Sequence, residues 1–333
     1  MKSIDKGLPV IKDALDGLYS SMTPKCVIIA ELGCATGPNT LKLIPEFVEY
    51  TYEKFRANKK EIPEIQVFLN DLYFNDFSTV SRSLPTFLKD LDEERHGDIG
   101  PLFISMTPGC YQQRIFPDNF LHFVHCANSA HWLTQVPNDA LWNEGESLTK
   151  GCLYITENSP PEVIRAYQQQ FGKDFYSFLK SRAKEIVKGG RMVVNIMVSS
   201  DTHKPHHMWV LKLMNMGLVD EKKVSEMNFH FYPPTMEEVK NLVSSEESFI
   251  LHKHETFILD WDMPKEEGEK TDELSRAKFV ADTARVSTNY IMSTQFGDDF
   301  SEEFYRRFTN LVYDHLANGI QLQTFHQVIS LMR

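Results

Sequence analysis

The apolar run Cys26-Val27-Ile28-Ile29-Ala30 leads directly into Glu31-Leu32-Gly33-Cys34-Ala35-Thr36-Gly37-Pro38-Asn39-Thr40, and then into a helical pattern through Leu41, Ile44 and Val48. A strand of that kind is buried on both faces and needs cover above and below. Strand, glycine turn and helix together open a βαβ unit, and the pattern recurs along the chain. Residues 9 to 22, with Leu8 just before them, show helical spacing at Ile11, Ala14, Leu15 and Leu18. Further strands are predicted at Ile65-Gln66-Val67-Phe68-Leu69, Pro101-Leu102-Phe103-Ile104-Ser105, Leu121-His122-Phe123-Val124-His125 and Met192-Val193-Val194-Asn195-Ile196-Met197. Strands alternating with helices predict an α/β fold with a parallel sheet and right-handed crossovers.

After Ser199 the pattern changes to a polar stretch, SSDTHKPHH, a Met-rich helix, and FYPPT opening a helix at Met236. This predicts a helical insertion. Strand character returns at Phe249-Ile250-Leu251 and Thr256-Phe257-Ile258-Leu259, and again at Phe325 to Leu331, so the late strands are expected to pair as a hairpin that closes the sheet. The division expected is a core over 1–199, a helical insertion over 200–247, and late core strands with further helices over 248–333. The charged run Lys265 to Lys270 fits a solvated loop.

Composition narrows the partners. Hydrophobic residues are 42% of the 333 and aromatics 12%, enough to bury a core of this size and to line a pocket for an organic ligand. A formal net charge of -11 disfavours nucleic acid and anionic lipid, whose phosphates need clustered Lys and Arg. No stretch approaches the roughly 18 apolar residues of a membrane span, and the start MKSIDKGLPVIKDALDGLY lacks a signal-type apolar region. A soluble, cytoplasmic protein is expected. The five cysteines, Cys26, Cys34, Cys110, Cys126 and Cys152, form no CxxC pair and are odd in number, which argues for reduced thiols and against a zinc site.

Chemistry concentrates at the first turn. Gly33 and Gly37 are spaced GxxxG, not the dinucleotide GxGxxG, and sit where a ligand approaches backbone and a helix N-terminus. The second strand ends in Asn70-Asp71, and a carboxylate there is where α/β nucleotide folds hold ribose hydroxyls. The bland alternatives are a turn with Thr36 or Asn39 as helix cap and Asp71 as a turn former.

Six blocks, ELGCATGPNTL, FLNDLYFNDF, PGCYQQRIFP, LHFVHCANSAHWLTQVP, FLKSRAKEIVKGGRMV and FGDDFSEEFYRRF, occur in the order seen in the SABATH methyltransferases, which the chain resembles from about Lys6 to its end. That family includes salicylate, benzoate and jasmonate carboxyl methyltransferases and the theobromine and caffeine N-methyltransferases. The resemblance implies a class I methyltransferase (Rossmann-like) fold, with a seven-stranded, mostly parallel sheet and a helical cap, and S-adenosyl-L-methionine as co-substrate. It places Gly33, Cys34 and Asn39 along the cofactor, Asp71 on its ribose, Leu72 against the adenine, and Cys110 and Tyr111 at the adenine end, where the family usually has Ser-Phe. His131 and Trp132 fall on the family's substrate carboxylate clamp, and both rings carry an N–H suited to an anion. The implied activity is methyl ester formation on a small carboxylic acid, without a general base. The alternatives are N-methylation of a purine-like heterocycle and a cofactor-binding homologue without turnover. The resemblance also implies a homodimer.

Departures from the family set further expectations. Its N-terminal SYxxNSxxQ pattern, which covers the site and supplies a Gln to the carboxylate, does not occur, implying an open site. Cys126-Ala127-Asn128-Ser129 stands where the family has SSYS, implying a roomier or more polar pocket at Asn128. A Mg²⁺ site attributed to some members would fall on Thr149, Ser225, Met227 and Asn228, which lack a carboxylate, so no metal is expected. His203, His206 and His207 fit a surface loop, and His252 and His254 are expected to be exposed.

Overall fold

The structure, a computed structural model, describes residues 2–37, 39–96, 100–137, 142–143, 146–147, 159–199, 230–261, 272–319 and 321–333. Residues 200–229 of the expected insertion lie outside these, as do Thr149, Cys152, His203, His206, His207, Ser225, Met227 and Asn228.

Strand β1 (Cys26–Leu32) pairs in parallel with β2 (Glu64–Asp71) on one side and β4 (Leu121–Ala127) on the other. Beyond them lie β3 (Leu102–Pro108), parallel to β2, and β5 (Ile186–Val198), parallel to β4. Strand β7 (Gln323–Met332) runs antiparallel to β5, and β6 (Ile250–Asp260) closes the far edge antiparallel to β7. The order is therefore β3-β2-β1-β4-β5-β7-β6, seven strands of which β7 is reversed.

Helices cover both faces, as the apolar strands require. On β1, Val27 and Ile29 join an apolar layer with α1 (Lys2–Ser21) and α2 (Leu43–Ala57), while Ala30 and Leu32 join the opposite layer with Phe171, Phe175 and Phe178 of α4 (Pro161–Glu185). Helix α3 (Phe77–Glu94) starts at Asp76, whose carboxylate accepts from the Thr79 N–H at 3.0 Å. Helix α5 (Met236–Glu246) begins where expected, behind a capping box of Thr235 and Glu238, and its Val239 and Val243 join the α4 layer. Helices α6 (Glu273–Phe296) and α7 (Asp298–Ala317) pack on each other across Gly297 and form a third apolar cluster with Phe231, against which Trp132, Met197 and Trp261 lie.

Three expectations need correction. Helix α1 starts at Lys2, with Pro9 inside it, instead of near residue 9. Proline forfeits one backbone bond, but Ile4 is buried, the Ser3 carbonyl accepts from Asn195 Nδ2 at 2.9 Å, and Ser3 Oγ accepts from Asn128 Nδ2 at 2.6 Å. Asn128 is thus engaged by α1. The two apolar runs around His252 are one strand, with a register shift between Leu251 and Lys253; an edge strand tolerates the polar interruption. The β6–β7 pairing is present, with α6 and α7 inserted between its strands. His252 is exposed as expected, 3.4 Å from Asp13, whereas His254 is half-buried.

Candidate active site

Sheet order departs in opposite directions from β1 and β4, and in such folds ligands bind beyond the carboxyl ends of strands at that reversal. Gly33 stands there with φ +74°, and a Cβ on it would lie 2.4 Å from Ser129 Oγ, so only glycine fits. The Gly33 and Cys34 N–H groups both donate to the Asn70 carbonyl, at 2.9 and 3.0 Å. Ala35 holds φ +54°, and its N–H donates to Asp71 Oδ2 at 2.7 Å, while the Leu72 N–H donates to Oδ1 at 2.7 Å. Thr36 Oγ1 donates to Asn75 Oδ1 at 2.6 Å, and Asn75 Nδ2 donates to the Ala35 carbonyl at 3.2 Å. The turn is stitched to the end of β2. Neither Thr36 nor Asn39 caps α2, which begins at Leu43 without a side-chain cap bond.

Asp71 serves as a turn former in this arrangement, yet each of its oxygens keeps a lone pair beyond the backbone bond it accepts. Burial pushes its carboxyl upward, and the two backbone donors oppose that rise. The Cys34 thiol is buried among the residues of the α2 layer, where its Sγ donates to the Ala35 carbonyl at 3.4 Å; burial pushes the thiol up. Asn39 is exposed, Leu72 is half-buried, and Tyr73 and Phe74 follow it at 77% and 65% exposure.

Beyond β3, Cys110 is half-buried and its Sγ donates to Gln112 Oε1 at 2.9 Å. Tyr111 is buried: its hydroxyl donates to the Ser129 carbonyl at 2.8 Å, and its ring meets Phe178 edge-on at 5.7 Å. Burial holds the phenol protonated as a donor. Tyr111 is therefore packed into the core beneath Gly33, and the hydroxyl it has in place of the family's phenylalanine makes a structural bond.

Beyond β4 the chain turns through Asn128, at φ +55°, into Ser129 and the His131-Trp132 pair, which lie outside any helix. Residues 131–133 are held by 230–232: the Leu133 N–H donates to the His230 carbonyl at 2.7 Å, and the Tyr232 N–H to the His131 carbonyl at 3.0 Å. Phe231 meets His131 at 5.1 Å and Trp132 at 5.4 Å, both edge-on, and the His131 and Trp132 rings are 6.0 Å apart. His131 is buried and Trp132 half-buried.

The structure brings Gly33, Asp71 and Tyr111 together around Ser129 and Asn70, and puts His131 and Trp132 beside Phe231. Ser129, Asn70, Phe231 and Gln112 were not anticipated. Gln112 lies between the two groups, its Nε2 donating to the Trp132 carbonyl at 3.4 Å. Glu31, which opens the glycine-turn motif, has its carboxylate 2.7 Å from Nδ1 of buried His125. Among the described residues no three His, Cys, Asp or Glu side chains are grouped to hold a metal, and Cys26, Cys34, Cys110 and Cys126 are free thiols.

This sheet order, with a glycine turn at the reversal and an acid at the end of β2, defines a class I methyltransferase fold. Residues 1–333 match the family described as SAM dependent carboxyl methyltransferase, and the chain belongs to it. A probable jasmonic acid carboxyl methyltransferase of Theobroma cacao is 35% identical over 346 residues, covering 100% of this chain and 92% of the relative. A probable caffeine synthase of Coffea canephora is 34% identical over 326 residues, covering 92% and 85%. The solved structure of a loganic acid methyltransferase with SAH superposes with a TM-score of 0.79 at 26% identity, covering 99% of this chain and 92% of that one. The protein is an S-adenosylmethionine-dependent methyltransferase of the SABATH type.

Proposed function

We propose that the protein transfers the methyl group of S-adenosylmethionine to the carboxylate of a small organic acid, forming a methyl ester. The observation that carries this reading is the His131-Trp132 pair, set against Phe231 at the same end of the sheet as Gly33 and Asp71. The acids that name the jasmonic acid and loganic acid relatives support it.

The residues at the reversal fit the cofactor. Gly33 gives the close backbone approach it needs, and Asp71, with a lone pair left on each oxygen, suits two ribose hydroxyls. Cys34 and Asn39 would line the turn, with Leu72 and Cys110 toward the adenine and Tyr111 supporting the floor. When bound, the cofactor supplies an electrophilic sulfonium methyl. An acid with an ordinary pKa near 4 is already ionised at pH 7, so no residue has to take a proton. His131 and Trp132 orient the carboxylate oxygen toward the methyl carbon, and rate comes from alignment and from excluding water. The α6–α7 cluster would cap the acid.

Incubating the protein with methyl-labelled adenosylmethionine and a panel of carboxylic acids tests this. The expected product loses its label to mild base, as a methyl ester does. Base-stable label on a nitrogen heterocycle alone overturns the reading, and cofactor binding without transfer to any acid leaves a non-catalytic homologue. The expected partner is a small acid, with neither nucleic acid nor membrane; among the described residues no helix is long and apolar enough to cross a membrane. The homodimer and the cytoplasmic location are checked by sedimentation and fractionation.

A further inference from the structure

The segment 110–116 after β3 lies outside helix and sheet, yet it runs between the two halves of the site. At one end Tyr111 bonds the Ser129 carbonyl, and a Cβ on Gly33 would lie 3.7 Å from its ring. Next to it Gln112 bonds the Trp132 carbonyl. Tyr111, Gln112 and Phe116 are buried, so their backbone groups need partners, and several partners of the segment come from one face of the last turns of α4. Ser177 Oγ and Ser181 Oγ donate to the Gln112 carbonyl at 2.8 and 3.4 Å. Arg182 donates from Nη1 to the Tyr111 carbonyl at 2.8 Å and from Nη2 to the Gln113 carbonyl at 3.0 Å. Glu185 Oε1 accepts from the Ile115 and Phe116 N–H groups at 2.7 and 3.0 Å.

Both side chains are 0% exposed and only 2.6 Å apart. Glu185 Oε2, the atom facing Arg182, completes no aligned hydrogen bond, nor does Arg182 Nε. The aligned bonds of both residues go to the segment. A buried ion pair is a poor stability device, because desolvating two charges offsets their attraction and apolar side chains of similar volume serve a core as well. Four backbone groups of a single segment gripped by the pair are a better account of its presence. We infer that Arg182 and Glu185 are positioning residues, which fix segment 110–116 and so set the cofactor turn at Gly33 in register with the His131-Trp132 pair.

The inference rests on the proposed methyl transfer, but its test does not depend on that reading. Arg182→Met with Glu185→Leu removes both charges together and leaves no unpaired ion in the core. The folded double variant is expected to bind adenosylhomocysteine at least about tenfold more weakly by calorimetry, with kcat reduced to a similar degree, in line with lost hydrogen bonds to charged groups. KM for the acid at saturating cofactor should change less than about threefold, since the acid's own contacts are untouched. Arg182→Lys, which keeps the charge and loses the fork, should show the same split to a smaller extent. A folded double variant with the parent's cofactor affinity and kcat overturns the inference. Failure of both variants to fold also overturns it, by assigning the pair to stability alone. A parent that binds adenosylhomocysteine but esterifies no acid defeats the proposed function, while the affinity comparison still decides the role of the pair.

Discussion

Around Gly33 the chain is held by directed hydrogen bonds to the neighbouring strand end, from the Gly33 and Cys34 N–H groups to the Asn70 carbonyl and from the Ala35 N–H to the Asp71 carboxylate. Around Trp132 the backbone is likewise tied, to residues 230–232, but the rings that would meet a ligand are held by packing against Phe231, far along the chain, and against the apolar cluster of α6 and α7. Backbone bonds leave few solutions, so the first region is fixed in shape. Apolar packing of suitable total volume accepts many sequences, so the second can change its pocket without disturbing the first. A ligand common to a whole class belongs in the first region, and one that varies from member to member belongs in the second.

The comparison breaks if the first region proves adaptable. Gly33→Ala forces an L-residue to φ +74° and places Cβ 2.4 Å from Ser129 Oγ. The left-handed backbone costs about 1–2 kcal/mol and overpacking about 1–3 kcal/mol, so urea unfolding should show a loss of about 2–5 kcal/mol with cofactor binding abolished. Adding Ser129→Gly should recover the overpacking part only. Parent-like stability in the single variant would show that the turn yields, contrary to its hydrogen-bonded description.

A paired experiment sharpens the comparison. Asp71→Ala should weaken cofactor binding by about 1.5–3 kcal/mol, the range for hydrogen bonds to a charged group, and leave the acid KM near the parent's at saturating cofactor. Trp132→Phe keeps the ring and deletes the indole N–H, so catalytic efficiency toward the acid should fall roughly ten- to 150-fold with cofactor affinity unchanged. Calorimetry that finds Asp71→Ala binding cofactor normally removes Asp71 from the site. Esterification by Trp132→Phe at the parent's rate removes the carboxylate clamp.

Legibility in the sequence follows the same division. The strand before Gly33 and the acid ending β2 are local features, and they announce where a cofactor approaches. Helix α1 extends back past Pro9, whose ring forfeits a backbone bond, because the turn before it is kept by Asn128 and Asn195, which only the fold brings near. Strand β6 was read as two pieces because His252 to Glu255 are polar, and an edge strand needs apolar residues on one face only. The grip of Arg182 and Glu185 on segment 110–116 joins parts of the chain far apart in sequence, and no periodicity encodes it. Asn128 carries a second role that its position in the motif does not announce: its left-handed backbone suits Asn, and its Nδ2 donates to Ser3 of α1.

The smallest effect expected is none at all. A hard cation on the substrate side would make that region's shape depend on coordination instead of packing. Six or more oxygen ligands including carboxylates are the usual demand of such an ion, and Thr149, Ser225, Met227 and Asn228 offer no carboxylate among them. A carboxylate substrate is already charged and needs only N–H donors to be oriented, so a metal would add little to the chemistry proposed. Turnover in excess EDTA should therefore match turnover without it, within the error of the labelled-methyl assay. Activity lost to EDTA and restored by Mg²⁺ would place carboxylates from elsewhere in the chain near these positions. It would also show that the substrate half, like the cofactor half, is fixed by directed polar bonds, and the contrast between the two regions would fall with it.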